Sequence, residues 1–436
     1  MIKKFLKYSL VISLMACCNI MAQTTIAGNL TTHMDSIISE IPGSTPEGLY
    51  LQPGTSSRDL WRTIIQNILA ENYDLADNDA GLINYRVVEF LDITESPNHT
   101  YYILERTPES TSRYWGTFIF NPSPKIYRLV IQSPHPKYDR NTGYQGFRIF
   151  KESGCRAFFV SGAHRCNGTT SSSCDGTTTA CSSESEPYRY SDQAHVVLGT
   201  FQITTEEMIS AISDLTFLQP HGFSKETGDP DIIISNGTKY HSDEDFIPDL
   251  VDNLLLQDNS LTFKIGHLDA EWTRLLATTN VQGRLVNGSL APCGTDADTA
   301  TGHFIHIEQA YTKLRDSETN WNKLVQAVIA TFGDGSLDVA DDASNDFRPT
   351  IFTLSPNYPN PFNGTTQIQY NLFQKSNIEI AVYDILGRRI EYEFRPHQSP
   401  GTYVYQFSSD NYASGVYLYR MIANSVGQTG KMVIIK

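Results

Sequence analysis

Two histidines, an aspartate and a glutamate stand at or near the ends of apolar runs. His135 follows the run "RLVIQSP", Asp139 comes four residues later, and His221 follows "LTFLQP". Glu308 lies in the run "HFIHIEQA", where period-2 alternation puts it on the same strand face as His306. Ligands of open α/β sheets bind beyond the carboxyl ends of the strands, so we expect these side chains to converge.

The residue types fit a catalytic zinc site. Two histidines and one carboxylate occupy three positions of such a site, and a water takes the fourth. Zinc lowers the pKa of that water to about 7, and a separate carboxylate then moves the proton. We assign His135, Asp139 and His221 to the metal and Glu308 to proton transfer. Asp139 lies in the turn-rich segment "YDRNTG", so capping of the following helix is an alternative role for it.

Other polar residues are candidates for contact with a substrate. His164 and Arg165 follow the apolar run "CRAFFVSGA", and Arg165 or Arg284 could hold a substrate carboxylate in a bidentate ion pair. The segment "SDQAH" contains serine, aspartate and histidine, but three neighbours on one short segment do not form a catalytic triad. We expect Asp192 and His195 to line the pocket instead, and His306 to orient a neighbouring side chain.

The order of these residues resembles that of the zinc carboxypeptidase-like amidohydrolases, which include zinc carboxypeptidases, N-formylglutamate amidohydrolases and poly-gamma-glutamate hydrolases. There a first histidine and a nearby acid follow an early strand, a second histidine follows a middle strand, and a catalytic glutamate lies on a late strand. His135 with Asp139, His221 and Glu308 match that order, over roughly residues 125–332. The resemblance implies bound Zn2+ and a peptide-like or poly-acid substrate that carries a carboxylate. The chain departs from zinc carboxypeptidases in having H-x-x-x-D in place of H-x-x-E.

The elements that must position these residues alternate between strands and helices. Residues 56–332 therefore predict an α/β fold, with a mixed sheet flanked by helices as in zinc carboxypeptidases. The first strand-like runs, "YRVVEFLDI", "TYYILERT" and "YWGTFIFNP", are expected to be antiparallel neighbours. Residues 23–55 are polar, with proline, glycine and threonine interruptions, and predict an irregular N-terminal segment.

The N-terminus indicates export. In residues 1–22, three lysines precede an apolar core that is too short to cross a bilayer, as in a secretory signal peptide. A lipoprotein signal ending at Cys17 is the alternative. No other segment reaches transmembrane length.

Five cysteines remain after the signal, so at most two disulfides form within one chain and one thiol is left over. They are Cys155, Cys166, Cys174, Cys181 and Cys293. Three of them lie in "CNGTTSSSCDGTTTACSSES", a loop-like segment for which a disulfide is the expected use in an oxidising compartment. A zinc knuckle is the alternative, but the spacing lacks a C-x-x-C pair.

An acidic linker, residues 333–350, leads to evenly spaced strands in residues 351–436, which predict a small all-β sandwich domain. This domain contains "NYPNPFN" from Asn357, "VYDILGR" from Val382, "SGVY" from Ser414 and a terminal "KMVIIK". It resembles the type A C-terminal sorting domain of the type IX secretion system. The resemblance implies that this secretion machinery is a partner and that the protein is secreted or displayed at the cell surface.

The net charge of the chain bears on the kind of partner that the protein can bind. A net charge of −15 argues against a nucleic-acid partner, because phosphate binding needs a basic surface. The sequence thus predicts a secreted zinc-dependent hydrolase that cleaves an amide bond in a carboxylate-bearing substrate. A non-catalytic binding or adhesion protein on a degenerate hydrolase fold is the main alternative. A metal-dependent esterase or deacetylase is a third possibility.

Overall fold

The computed structural model describes residues 23–45, 48–333, 352–355, 357–372, 375–384, 388–423 and 426–436. The predicted signal peptide, and the predicted linker beyond Gly333, lie outside these residues. The chain divides into two compact units, Met1–Leu337 and Asp338–Lys436. None of the described helices is long and apolar enough to cross a membrane.

The first unit is an α/β structure, as the sequence predicts. Its α-helices are α1 (Leu30–Ser39), α2 (Thr55–Leu69), α3 (Tyr73–Gly81), α4 (Thr142–Ser153), α5 (Thr200–Ala211), α6 (Ile247–Gln257), α7 (Val281–Val286) and α8 (Glu318–Phe332). Its strands are β1 (Thr24–Gly28), β2 (Tyr85–Asp92), β3 (His99–Arg106), β4 (Thr117–Phe120), β5 (Ile126–Ser133), β6 (Cys155–Val160), β7 (Thr177–Thr178), β8 (Glu186–Pro187), β9 (Thr216–Gly222), β10 (Ile232–Ser235), β11 (Phe263–Ile265) and β12 (Phe304–Gln309).

Ten of these strands form one mixed sheet, in the order β1-β2-β3-β4-β6-β5-β9-β12-β10-β11. The strands β2, β3 and β4 pair antiparallel as predicted, and β4 also runs antiparallel to β6. In the centre, β6, β5, β9 and β12 are parallel neighbours. The carboxyl ends of these four strands therefore lie at one edge of the sheet.

Each face of the sheet carries its own apolar core, because successive strand residues point to opposite faces. Ile131, Leu218 and Ile305 belong to one core, which also takes in buried residues of α1, α4, α6 and α8. Val130, Phe217 and Phe304 belong to the other core, with buried residues of α2, α3 and α5. Two helical layers thus hold the central strands rigidly, which fixes the position of any group at their ends.

The N-terminal segment differs from its prediction, because residues 24–39 are regular. The strand β1 pairs parallel with β2, and α1 buries Leu30, Met34 and Ile38 at helical spacing. Asn29 caps this helix, since its side chain accepts the backbone N–H groups of Thr31 and Thr32 at 2.9 and 3.2 Å. The apolar spacing in "NLTTHMDSIIS" carries this signal, and it is interrupted by polar residues that obscure it.

Two disulfides staple the segment around the cysteine-rich loop, as the sequence predicts. Cys166 pairs with Cys181, and Cys174 pairs with Cys293. Cys155 is the remaining thiol and is fully buried at the start of β6.

The second unit consists of antiparallel β-sheets, as predicted. Its strands are β13 (Phe352–Leu354), β14 (Thr365–Leu372), β15 (Ser376–Asp384), β16 (Arg389–Gln398), β17 (Gly401–Ser408), β18 (Gly415–Ala423) and β19 (Val426–Ile434). They form sheets of order β13-β14-β17 and β16-β15-β18-β19. Ile368 and Phe407 of one sheet share an apolar core with Ile380 and Met421 of the other.

Candidate metal centre

On one face of the sheet, the central strands change from apolar to polar toward their carboxyl ends. In order along each strand, these residues are Val130 and Gln132 on β5, Phe217, Gln219 and His221 on β9, and Phe304, His306 and Glu308 on β12. The parallel register of β9 and β12 sets Gln219 beside His306 and His221 beside Glu308. The strand pairing therefore brings two histidines and a glutamate to one place before any loop contributes.

The turn after β5 adds His135 and Asp139. The backbone N–H of Asp139 donates to the carbonyl of His135 at 2.9 Å, which closes one turn and returns the carboxylate to the histidine. Helix α4 has its N-cap at Asn141, two residues beyond Asp139. The carboxylate of Asp139 faces His135 and His221, and the N-cap position of α4 belongs to Asn141.

Three buried atoms form a small triangle in this cluster. His135 Nδ1 lies 3.1 Å from His221 Nδ1, and Asp139 Oδ2 lies 3.3 Å from His135 Nδ1 and 3.1 Å from His221 Nδ1. Ligands at zinc-bond lengths of 2.0–2.2 Å in a tetrahedron are separated by about 3.3–3.6 Å. The three residues are only 2–4% exposed. The triangle is thus a few tenths of an ångström smaller than one face of a tetrahedral zinc site.

The outer hydrogen bonds of both imidazoles turn their lone pairs toward this triangle. His135 Nε2 lies 2.8 Å from Asp192 Oδ1, and His221 Nε2 lies 3.2 Å from Gln219 Oε1. Both oxygens are acceptors, so the neutral rings carry their protons on Nε2 and present unprotonated Nδ1 atoms inward. Two lone pairs and a carboxylate oxygen within 3.3 Å of one another form a group that could hold a metal ion.

Without a metal, the electrostatics assign a proton to this position. Burial opposes protonation of His135, but the carboxylates of Asp192 and Asp139 outweigh it and raise the pKa of His135. Burial lowers the pKa of His221 to about 4, and the charge of His135 adds to the effect. The pKa of Asp139 lies below its usual range, because its hydrogen bonds with His135 and His221 outweigh burial. The cluster therefore favours one positive charge between two histidines and an ionised aspartate.

Glu308 and His306 stand beside the triangle with unused polar atoms. Ligand atoms of His221, His306 and Glu308 all lie within 4.8 Å of one another. Glu308 Oε2 and His306 Nδ1 are buried and have no hydrogen-bond partner. Burial, together with the charge of Asp139, raises the pKa of Glu308 to about 8. A buried carboxyl with a free oxygen and a pKa near neutrality is suited to accept and return a proton.

Asp192 is a buried carboxylate that contacts several side chains of the cluster. Its Oδ1 accepts from His135 Nε2 at 2.8 Å and from His195 Nδ1 at 2.9 Å, while its Oδ2 pairs with Arg165. The ring of Tyr188 stacks on His195 at a centroid distance of 3.6 Å. Asp192 thus orients His135 from behind, and its own charge is balanced by Arg165.

The predicted substrate residues do not all lie at this site. His195 and Arg165 join the cluster through Asp192, and Arg165 Nη1 lies 3.4 Å from His135 Nδ1. His164 is partly exposed next to Tyr138, with ring centroids 5.4 Å apart. Arg284 is buried elsewhere, where its guanidinium pairs with Asp175 and Asp296.

A separate cavity of about 290 Å³ is lined by residues that include His33, Arg86, Glu105 and Arg106. Its buried acid is already satisfied, because Glu105 bonds His33 Nε2 at 2.8 Å and Arg86 Nη2 at 2.6 Å. Glu105 therefore offers this cavity no free carboxylate oxygen.

Sequence reasoning missed the glutamines that support the histidines. Gln219 contacts His221 Nε2, and the side chains of Gln132, Gln282 and Asn280 contact Gln219. The period-2 alternation of "TFLQPHG" carries one signal, since it puts Gln219 and His221 on the same face. The contribution of Gln282 and Asn280 depends on the packing of α7, which the local pattern does not show.

Comparison with known proteins assigns only part of the chain. Residues 357–436 match the family described as "Secretion system C-terminal sorting domain". Curated proteins give no match, and no carboxypeptidase family matches the chain. A solved structure, the endo-beta-1,4-mannanase from Thermotoga petrophila, is 11% identical over 54% of this chain and 42% of its own, with a TM-score of 0.17. A superposition of that quality supports no argument about fold or activity.

The sorting-domain match agrees with the sequence motifs of the second unit. The match indicates export by the type IX secretion system, and the C-terminal unit carries the sorting signal for that system. The chain is thus a secreted or cell-surface protein with a C-terminal sorting domain, and its α/β unit carries a candidate metal centre.

Proposed function

We propose that the α/β unit is a zinc-dependent hydrolase that cleaves an amide bond in a carboxylate-bearing substrate, peptide-like or poly-acid, outside the cell. His135, Asp139 and His221 are the metal ligands, and Glu308 is the catalytic proton carrier. The observation that carries the proposal is the triangle of His135 Nδ1, His221 Nδ1 and Asp139 Oδ2, with sides of 3.1–3.3 Å. A bound zinc ion would supply an activated water and polarise the scissile carbonyl.

The residues of the chain supply the remaining steps. Glu308 takes a proton from the attacking water and delivers it to the leaving amine, for which its raised pKa and free Oε2 are suited. His306 contacts the His221 ring at a centroid distance of 4.5 Å and keeps its Nδ1 free for a hydrogen bond to a reacting group. Asp192 holds His135 in the required tautomer.

Arginines around the cluster favour an anionic substrate. Arg165 is balanced by Asp192, but it remains partly exposed at the side of Tyr138 and His164. Arg315 packs against Gly222, directly after His221, and donates to the backbone carbonyls of Gln309 and Arg140 at 3.1 and 2.7 Å. Among the described residues, no carboxylate lies within ion-pair distance of Arg315. A substrate carboxylate would give the Arg315 guanidinium a partner of opposite charge.

The test uses the full chain loaded with zinc and a panel of peptides with free C-terminal carboxylates, each paired with its C-terminal amide. We expect hydrolysis of free-acid peptides, hydrolysis at least about 100-fold slower by the Glu308→Gln variant, and weaker activity on the amides. Zinc binding without hydrolysis of any amide or poly-gamma-glutamate would favour the non-catalytic binding protein. Cleavage of acetyl esters or acetamides alone would favour the esterase or deacetylase.

A further inference from the structure

A fully buried amide lies behind the second candidate metal ligand. Gln219 is two residues before His221 on β9, and its Oε1 faces His221 Nε2 at 3.2 Å. The same oxygen accepts from Asn280 Nδ2 at 2.7 Å. Gln219 Nε2 donates to Gln132 Oε1 at 2.7 Å and to Gln282 Oε1 at 3.2 Å. All four hydrogen-bonding positions of this amide are therefore used.

The partners of Gln219 fix which way its amide points. Thr205 Oγ1 donates to a backbone carbonyl of α5, so it must accept from Gln132 Nε2, which lies 2.8 Å away. Gln282 Nε2 donates to the backbone carbonyl of Gln193 at 2.9 Å. Both glutamines thus turn their oxygens toward Gln219, whose Nε2 has to face them. A flipped Gln219 amide would set oxygen against oxygen on that side and N–H against N–H on the other.

The fixed amide determines the state of the histidine ring. An oxygen at 3.2 Å from His221 Nε2 requires the ring proton on Nε2, which leaves the Nδ1 lone pair directed at His135 and Asp139. Asp192 acts in the same way on His135, but it is a carboxylate paired with Arg165, whereas Gln219 is neutral. The two candidate ligands are thus oriented by different chemistry.

We propose that Gln219 is a positioning residue of the metal centre, which fixes the tautomer and direction of His221 and thereby sets the affinity for zinc. This inference rests on the proposed metal centre. It assigns to the buried polar network a function besides packing.

The test compares substitutions of two equally buried glutamines of the α/β unit. Gln219→Met removes the acceptor next to His221 at nearly constant volume. Gln145→Met removes a buried amide that bonds Gln309 and the backbone carbonyl of Leu314, and that lies outside the Gln219 network. The affinity of the full chain for zinc is measured by competition with a chelating dye, and folding is checked by circular dichroism. We expect Gln219→Met to bind zinc about 10–100-fold more weakly and Gln145→Met to stay close to wild type.

The outcomes separate this inference from the proposed function. Equal zinc affinities in both variants would contradict a positioning role, and so would an equal loss in both. If the wild-type chain binds no zinc, the proposed metal centre itself is wrong. If Gln219→Met does not fold, the imidazole nitrogen spectrum of the wild-type protein decides: an Nε2–H tautomer of His221 supports the inference, and an Nδ1–H tautomer overturns it.

Discussion

The two units of the protein differ in what they bury. The α/β unit buries ionisable side chains in its polar cluster, including His135, Asp139, Asp192, His221 and Glu308. In the described part of the C-terminal unit, the buried polar side chains are neutral: Asn357, Thr366, Ser376 and Ser409. A buried charge is costly unless it is paired or binds a metal. The candidate metal groups thus lie in the first unit, and the second unit carries the match to the sorting domain.

Removal of a proposed metal ligand should give the largest of the expected effects, because zinc binding by the first unit depends on it. His135→Ala and His221→Ala each leave two of the three ligand atoms, so we expect loss of stoichiometric zinc. The measurement is metal content by mass spectrometry after dialysis against a zinc buffer. His241→Ala, at an exposed position of the same unit, serves as the control and should keep wild-type zinc. Full zinc retention in both ligand variants would remove the basis for the metal centre.

The Glu308→Gln variant separates binding from turnover. The substitution keeps the volume but removes the group that carries the proton, so kcat should fall by about 10²–10⁴-fold while zinc content is unchanged. Glu105→Gln is the matched control, because Glu105 is another buried glutamate of the sheet, paired with His33 and Arg86. Its loss should lower stability and leave kcat near wild type. A fully active Glu308→Gln enzyme would show that another group moves the proton.

Substitution of Arg284 tests whether a buried charge of the first unit can serve stability rather than the proposed reaction. Its partners Asp175 and Asp296 have side chains 47% and 66% exposed, so water can solvate them when the arginine is removed. We expect Arg284→Met to lower the free energy of unfolding by about 1–3 kcal/mol, with KM unchanged. Denaturant titration and steady-state kinetics measure both quantities. The comparison variant in the second unit is Arg388→Met, at an exposed ion pair, which should cost less than about 0.5 kcal/mol. A raised KM in Arg284→Met would support the predicted role of Arg284 in substrate binding.

A further expected effect is a pH dependence of the metal-free protein. Glu308 has a folded-state pKa of about 8 against an ordinary value of 4.5, so the unfolded chain loses this proton first as pH rises. The free energy of unfolding should therefore fall between pH 4.5 and 8, and the decrease should be smaller in Glu308→Gln. Urea titrations of both proteins at several pH values provide the measurement. Parallel curves for the two proteins would mean that Glu308 does not titrate in this range.

The sequence predicts the sheet well and the support of the site poorly. Long apolar runs such as "RLVIQSP" and "LTFLQP" report β5 and β9 directly, and the rule about carboxyl ends then brings His135 and His221 together. The role of Asp192 depends on a loop that returns from the disulfide region, and no local pattern encodes that return. Gln219 is visible only through alternation on its strand, and its partners on β5 and α7 come from tertiary packing.

For the C-terminal unit, the sequence alone is more informative than it is for the support of the metal centre. Its motifs from Asn357 to the terminal "KMVIIK" identify the sorting domain without a structure, and the family match agrees with them. Arg284 illustrates the limit of such reasoning in the other unit. A single arginine in the segment "TTNVQGR" cannot be distinguished by sequence from a substrate ligand, because its partners Asp175 and Asp296 are distant in the chain or on a separate loop.

The most direct test of the metal centre is a crystal structure of the zinc-soaked protein with anomalous data collected on both sides of the zinc edge. We predict one strong anomalous peak about 2.0–2.2 Å from His135 Nδ1, His221 Nδ1 and an oxygen of Asp139. A peak bound by other residues, or no peak at a zinc concentration that saturates the protein, would contradict the assignment.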